Sequence, residues 1–314
     1  MWIFVTIFWI LVTLLLIKIS NRLSTGKCYA DTVMSGKVVI VTGANSGIGY
    51  ATSMELARRG AKVILACRDD SKGYAAEKSI RKITKNPSVR YQHLDLSSFA
   101  SIRKFVEDFK NAEAKLDVLI NNAGASGMGS WKTKDGVIRD MQVNHFGPFL
   151  LTLLLVPILK KSAPSRVINM SSFLHKFGTI NKINEEGVYG YLRTFCNSKL
   201  CNVLFSNELA RRLEGTGVVV NSLNPGQVNT SLYKATIIEK LRCLVLYTFF
   251  KSPAEGAQTS IYLAVSDECD QVSGRYFEDC AERDMSWKAE DRDLCEKLWG
   301  ISEELVGLRQ DERV

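Results

Sequence analysis

From Trp2 to Ile17 the chain is apolar but for Thr6 and Thr13, and Lys18 ends the run. Beyond Gly36 the pattern changes to short apolar runs separated by longer amphipathic ones. The predicted strands are 37–42, 62–67, 89–94, 116–120, 166–170 and 218–223. The predicted helices are 48–59, 72–84, 99–113, 143–160 and 194–213, the third capped by Ser97 or Ser98. Strands that read as unbroken apolar runs and alternate with helices predict a parallel sheet covered on both faces. The expected organisation is an apolar segment over 1–19, a linker over 20–36, one doubly wound α/β domain over 37–280, and a helical tail over 281–314. In the tail, Leu294, Leu298, Trp299, Leu305 and Leu308 recur at helical spacing, as a core-facing stripe does.

The N-terminal run is long enough to matter. About 18 helical residues reach roughly 27 Å, close to the thickness of a bilayer's hydrocarbon core. A cleaved signal peptide carries its positive charge before the apolar run. Here Lys18, Arg22 and Lys27 follow it. Positive flanks stay in the cytoplasm. The reading is an uncleaved anchor with the domain facing the cytosol, expected in the endoplasmic reticulum membrane. A signal peptide cut near Ala30 is the competing reading.

The 314-residue chain is 46% hydrophobic, which suffices for a full core. Its net charge of +8 fits a solvated surface or an anionic membrane. No zinc-finger spacing, arginine-rich run or aromatic-interleaved basic patch supports nucleic-acid binding. The eight cysteines are scattered without a CxxC pair, which points to a reduced compartment. Oligomeric state leaves no trace in the sequence.

Candidate chemistry begins at Gly43-Ala44-Asn45-Ser46-Gly47-Ile48-Gly49, between the first strand and the first helix. Glycines let the backbone bend and a ligand approach, and the free N–H groups of the next helix bind a pyrophosphate. An ordinary turn is the plain alternative. At the end of the second strand stands Arg68, with no acid before it and Asp69 and Asp70 after it. A carboxylate there suits the ribose hydroxyl of NAD, whereas a guanidinium suits a 2′-phosphate. The expectation is NADP(H) over NAD(H). A surface charge at a strand end is the alternative.

Four further pieces follow in order: Asn121-Asn122-Ala123-Gly124, Asn144 within Val143-Asn144-His145, Ser171-Ser172, and Asn224-Pro225-Gly226. With the glycine turn, the ensemble resembles the short-chain dehydrogenase/reductase superfamily over about residues 37–280, with its Rossmann-type fold. The anchor, Ala66-Cys67-Arg68-Asp69, Ser198-Lys199-Leu200 and Gly256-Ala257-Gln258-Thr259-Ser260 look like its retinol dehydrogenase branch. The resemblance implies that Asp95 touches the adenine and that Asn122, Ala123 and Gly124 line the adenosine side. It implies that Pro225, Gly226, Val228 and Thr230 hold the nicotinamide half. Asp95 as a helix cap and Pro225-Gly226 as a plain turn are the alternatives.

The same resemblance implies a serine, an asparagine, a tyrosine and a lysine at the reacting centre. Ser172, Asn144 and Lys199 fit three of these roles. Four residues before Lys199, in the tyrosine's place, stands Phe195. A phenol with pKa near 10 serves as an acid–base group only when a neighbouring cation lowers that value. A phenyl ring exchanges no proton, which removes a contribution of about 10²–10⁴ in rate. Tyr191, one turn before Phe195, is a candidate substitute donor, and Tyr189 a remoter one. Loop packing is the plainer account of both. Cys196 would point away from Lys199, and His175 reads as structural or substrate-lining.

Residues 231–251, rich in Ile, Leu and aromatics, correspond to a lid in the family. An apolar lid beside an anchor suits a lipid alcohol or carbonyl such as a retinoid or steroid. A helix packed on the body fits as well. Two readings of function remain open from the residues: an oxidoreductase with weakened proton transfer, and a cofactor-binding membrane protein that acts as scaffold or sensor.

Overall fold

The computed structural model describes residues 25–127, 131–229 and 250–314, with scattered positions between Trp2 and Ile19. Those scattered positions are helical, and the Thr6 and Thr13 hydroxyls donate to the carbonyls of Trp2 and Trp9. Much of the predicted anchor, and the lid over 231–249, fall outside the described residues.

Six parallel strands form first: β1 (Val38–Thr42), β2 (Lys62–Cys67), β3 (Val89–His93), β4 (Val118–Asn121), β5 (Ser165–Met170) and β6 (Val218–Asn224). Between them run α1 (Gly47–Arg58), α2 (Asp70–Thr84), α3 (Phe99–Ala112), α4 (Arg139–Lys161) and α5 (Tyr191–Arg212). After β6 come α6 (Gln258–Val265), the short strands β7 (Tyr276–Glu278) and β8 (Ala281–Glu282), and α7 (Arg292–Leu305). The sheet order is β3-β2-β1-β4-β5-β6-β7-β8, parallel except for β7 against β8. Strand order reverses between β1 and β4, and the crevice outside the carboxyl ends there is the ligand position of such sheets.

The element boundaries have local causes. Helix α2 starts at Asp70 because the Asp69 carboxylate accepts from the Lys72 N–H at 3.0 Å. Strand β4 starts at Val118, later than Leu116, because the Leu116 N–H is bound to the Ser162 hydroxyl at 2.9 Å and the Asp117 side chain to the Val38 N–H at 2.8 Å. Helix α5 starts at Tyr191, three residues earlier than its apolar pattern suggests, after an extended Gly190. Helix α4 likewise starts before Val143 and carries a π turn at Gln142–Phe146.

Alternate residues of each strand feed two cores. Ile40, Leu119 and Val167 pack with Phe105 of α3, Leu151 of α4, Leu204 of α5 and Trp299 of α7. Val39, Val41 and Ile120 pack with Leu56 of α1, Ile80 of α2 and Ile261 of α6. Each such side chain, removed from water, stabilises the fold by about 1.5–3 kcal/mol. Helix α4 is long and apolar enough to cross a membrane, but it is almost wholly buried here and serves as a core helix. The predicted tail stripe is also core: Leu298, Trp299 and Leu308 are buried, and Leu294 and Leu305 pack beside them. The 281–314 stretch is built into the domain, since β8 joins the sheet and α7 packs on α4 and α5.

Candidate active site

The glycine turn closes onto the end of β4. The Thr42 hydroxyl accepts from the N–H groups of Asn122 and Ala123 at 3.0 and 2.9 Å, while the Asn122 amide donates to the Thr42 carbonyl at 2.7 Å. Gly43 and Gly47 adopt positive φ of 66° and 57°. At Gly49 a Cβ would fall 2.4 Å from the Asn122 amide and 2.5 Å from the Gly43 carbonyl, so only glycine fits. Helix α1 has no side-chain cap and no acid in its first turn, which leaves its N–H groups open to an anion.

Beside this helix end lies a cavity of about 290 Å³. It brings together Gly43, Asn45, Ser46, Arg68, Asp95, Ala123 and Gly124, all singled out from the sequence, with Lys72 added. Asn122, Gly47, Ile48 and Gly49 shape the turn rather than line the cavity. Asp95 holds its own loop: its carboxylate accepts from the Ser97 N–H at 2.9 Å and the Ser97 hydroxyl at 2.6 Å. Helix α3 is capped by Ser98. The residues therefore fit a nicotinamide dinucleotide, with uncapped N–H donors for phosphates and a cradle that tolerates no added Cβ.

Arg68 is exposed and makes no ion pair among the described residues. The two acids after it have partners of their own, and Asp69 also lines the cavity. Asp69 caps α2 and pairs with Lys72 at 3.3 Å, and Asp70 meets His93 Nδ1 at 2.7 Å and the Tyr91 hydroxyl at 2.5 Å.

Pro225, Gly226 and Val228 lie beyond β6, outside the cavity lining. Gly226 has φ of 77°, and the Val228–Lys251 bridge keeps this strand end in place. Thr230 lies outside the described residues.

The π turn of α4 presents Asn144 to the loop after β4. Its side chain trades two hydrogen bonds with the Ala125 backbone, at 2.7 and 2.9 Å, and donates to the Ser198 hydroxyl at 3.0 Å. Ser198 in turn donates to the Phe195 carbonyl at 2.8 Å. One turn on, Lys199 is buried with its ammonium donating to the Met170 carbonyl at 3.2 Å. Burial pulls its pKa down to about 8. Phe195 is buried against it, the ammonium 5.3 Å from the ring centre. Ser172 lies two residues past the end of β5 and caps a 3₁₀ turn, Phe173–Phe177, its hydroxyl accepting from the Leu174 N–H at 3.3 Å. Asn144, Ser198 and the Phe195 carbonyl thus form one hydrogen-bonded chain, the Lys199 ammonium meets the Phe195 ring, and Ser172 stands two residues past the carbonyl that Lys199 holds.

A family model described as short chain dehydrogenase matches residues 37–240. The chain belongs to the short-chain dehydrogenase family. It is similar to retinol dehydrogenase 14 of Homo sapiens, 47% identical over 295 residues, which are 88% of this chain and 88% of that one. It is also similar to retinol dehydrogenase 11 of Mus musculus, 44% identical over 296 residues and 94% of each chain. Among solved structures, an uncharacterized protein from Mycobacterium paratuberculosis aligns with TM-score 0.72 at 32% identity, over 90% of this chain and 98% of that one. A Pseudomonas aeruginosa RhlG/NADP active-site complex shares the fold, with TM-score 0.66 at 24% identity over 79% and 96%. The chain is accordingly a short-chain dehydrogenase of the retinol dehydrogenase-like branch, related to oxidoreductases.

Within this short-chain dehydrogenase, Tyr191 opens α5 with its ring exposed, two turns or about 12 Å of helix rise before Lys199. Tyr189 donates its hydroxyl to the Asn181 carbonyl at 3.0 Å. Cys196 is buried, and burial pushes its thiol pKa up. His175 is fixed at both ring nitrogens: Nε2 accepts from the Ser286 N–H at 3.0 Å, so Nδ1–H donates to the Ser172 carbonyl at 2.8 Å. Burial lowers its pKa, and the imidazole acts as a neutral strut under Ser172.

Sequence reasoning missed two contributors. Ser198 is the link between Asn144 and Phe195, and its adjacency to Lys199 was the available signal. His145, next to Asn144, is wholly buried, with Nε2 2.9 Å from the Ser302 hydroxyl of α7 and its pKa pressed down to about 3 by burial. Ser302 donates its own proton to the Leu298 carbonyl at 2.8 Å, so His145 Nε2–H is the donor to Ser302. The C-terminal helix is thereby tied to the turn that carries Asn144, a contact across 157 residues that no local pattern announces.

Proposed function

We propose that this chain is an NADP(H)-binding oxidoreductase for hydrophobic alcohols or carbonyls, of retinoid or steroid type, whose proton-transfer step is crippled. Bound at the glycine turn, the dinucleotide supplies or accepts the hydride. Arg68, without an ion-pair partner among the described residues, is the residue for the 2′-phosphate, and Lys72 stands beside it in the cavity. Asp69 is bound to α2 and Lys72, and Asp70 to Tyr91 and His93, which weakens the case for an acid at the ribose hydroxyls of NAD(H). In this reading Ser172 holds the substrate oxygen, and His175 braces its loop.

The observation that carries the reading is the environment of Lys199. Its ammonium faces the Phe195 ring and the Met170 carbonyl, and no hydroxyl of another side chain bonds to it among the described residues. The group that normally passes a proton to the substrate oxygen is absent, while the groups that position such a donor are in place. The apolar segment over 1–19 serves as a membrane anchor, which suits a lipid substrate. The relatives' names, retinol dehydrogenases, favour a retinoid.

The test uses the full chain in detergent or nanodiscs. NADPH binding is measured first, by its fluorescence, against NADH. Turnover of a retinoid and steroid panel is then compared for the native chain and Phe195→Tyr. Binding of NADPH with a gain of about 100-fold or more in Phe195→Tyr supports the reading. Native turnover at the rate of Phe195→Tyr, abolished by Tyr191→Phe, overturns it in favour of a substitute donor.

A further inference from the structure

The carboxyl edge of the sheet carries more than the site. Six large apolar side chains stand exposed there, by 42% to 68%: Trp131, Phe173, Phe177, Val188, Tyr191 and Leu192. They come from the loop after β4, the 3₁₀ turn after β5, and the start of α5, which runs back from that edge. The pieces are bound together. The Lys132 N–H donates to Glu186 at 2.8 Å, the Tyr189 hydroxyl to Asn181 at 3.0 Å, and Gly178 packs on the Cys196 carbonyl. An exposed apolar cluster marks an interaction surface.

Two observations indicate what covers it. The first is where the apolar N-terminus enters the fold. The Gly26 N–H donates to the Asp279 carboxylate at 3.1 Å, directly after β7, and Asp279 also pairs with Lys251 at 2.5 Å beside Gly226. At Gly26 the chain is therefore held at this same carboxyl edge. The second is the rim's charge. Lys132, Arg139, Lys176 and Arg193 flank the aromatics, with the Arg139 guanidinium 4.8 Å from the Trp131 ring centre. Of the acids in the neighbouring loop, Glu185 pairs with Lys182 at 3.1 Å and Glu186 is held by Lys132 N–H. Aromatic and aliphatic tips set among Lys and Arg match the headgroup region of an anionic bilayer, where rings lie at the boundary and cations meet lipid phosphates.

We infer that this aromatic rim is a lipid-contacting surface, seated in the headgroup region of the bilayer that residues 1–19 enter, so that the carboxyl edge carrying the Ser172 turn faces the membrane. A hydrophobic ligand then reaches Ser172 and Lys199 from the lipid without crossing water. The inference rests on the anchor reading for its geometry, and the two fail separately.

The full chain is reconstituted in phosphatidylcholine/phosphatidylserine nanodiscs whose acyl chains carry bromine near the headgroups. Trp131→Phe removes a native rim fluorophore, and Phe177→Trp adds one; both sites are exposed, so the fold is kept. Expected is a bromine-quenched component that disappears in Trp131→Phe and a new quenched component in Phe177→Trp. If the Trp131 signal and the added reporter are both indifferent to bromine, the inference is overturned, whether water or another protein surrounds them. Acrylamide then tells which, since a protein partner or a second copy shields both reporters. Alkaline carbonate extraction reads the anchor alone: a chain that resists extraction with an unquenched rim keeps the anchor and loses the rim.

Discussion

The Lys199 ammonium lies over the face of the Phe195 ring, 5.3 Å from its centre, one helical turn away. The ring keeps the volume and position of a phenol and offers only its π face to the cation. Such a contact contributes about 0.5–2 kcal/mol when desolvated. On the proposed reading it stands in for the pairing of an ammonium with an ionisable oxygen, so that packing around the site is preserved while proton exchange is lost.

Phe195→Leu separates these two roles. It removes the aromatic face and leaves a void, so stability should fall by about 1–3 kcal/mol, read from urea unfolding. Phe195→Tyr, which retains the ring, should unfold within about 1 kcal/mol of the native chain. Equal losses in both variants would remove the cation–ring contact from the account.

Lys199 makes stability depend on pH. Its folded pKa of about 8 lies below the ordinary 10.5 because burial disfavours the charge. Below pH 8 both folded and unfolded chains are protonated at this site, and the fold bears the whole cost of the buried cation. As pH rises from 8 toward 10.5, the folded chain releases its proton first and that cost fades. Lys199→Met, in the absence of dinucleotide, should therefore be more stable than the native chain at pH 7, by up to about 3 kcal/mol. The difference should shrink at pH 10. Paired denaturation curves at the two pH values measure it, and a gap that widens with pH contradicts the assignment.

Gly49→Ala introduces a Cβ against the Asn122 amide and the Gly43 carbonyl, both backbone-anchored. The turn must shift, at a cost of about 1–3 kcal/mol in stability. NADPH affinity, followed by fluorescence titration, should fall at least about 10-fold, since a shift worth 1.4 kcal/mol suffices for that.

Arg68→Ser tests coenzyme choice. Hydrogen bonds to a charged group contribute about 1.5–3 kcal/mol, which is roughly 10- to 100-fold in affinity. NADPH binding should weaken by that much in calorimetry while NADH binding stays within about twofold. A parallel loss of both coenzymes would place Arg68 outside the 2′-phosphate site.

Trp299→Ala probes the C-terminal helix. The Trp299 ring packs edge-on against Phe149 at 5.1 Å and under the Arg212 guanidinium at 4.1 Å, next to the His145–Ser302 link. Its removal should cost about 3–5 kcal/mol, measured by thermal or urea unfolding.

The sequence by itself determined the layered α/β architecture, the glycine turn and the identity of the residue four positions before Lys199. Each is local: a run of apolar residues, a strand–turn–helix spacing, or one side chain with or without a hydroxyl. The short strands β7 and β8 left no such trace, because three and two residues carry no periodicity, and the pairing of β7 with the end of β6 and of β8 with β7 decides them. The π turn that aims Asn144, the neutral His175 brace and the bond from His145 to Ser302 also required the fold. Each depends on groups far apart in the chain that find partners only once burial has excluded water. Whether Tyr191 stands near Lys199 was decided the same way. Shared helical phase put both on one face, but two turns of rise and an exposed first residue kept the phenol out of the cluster.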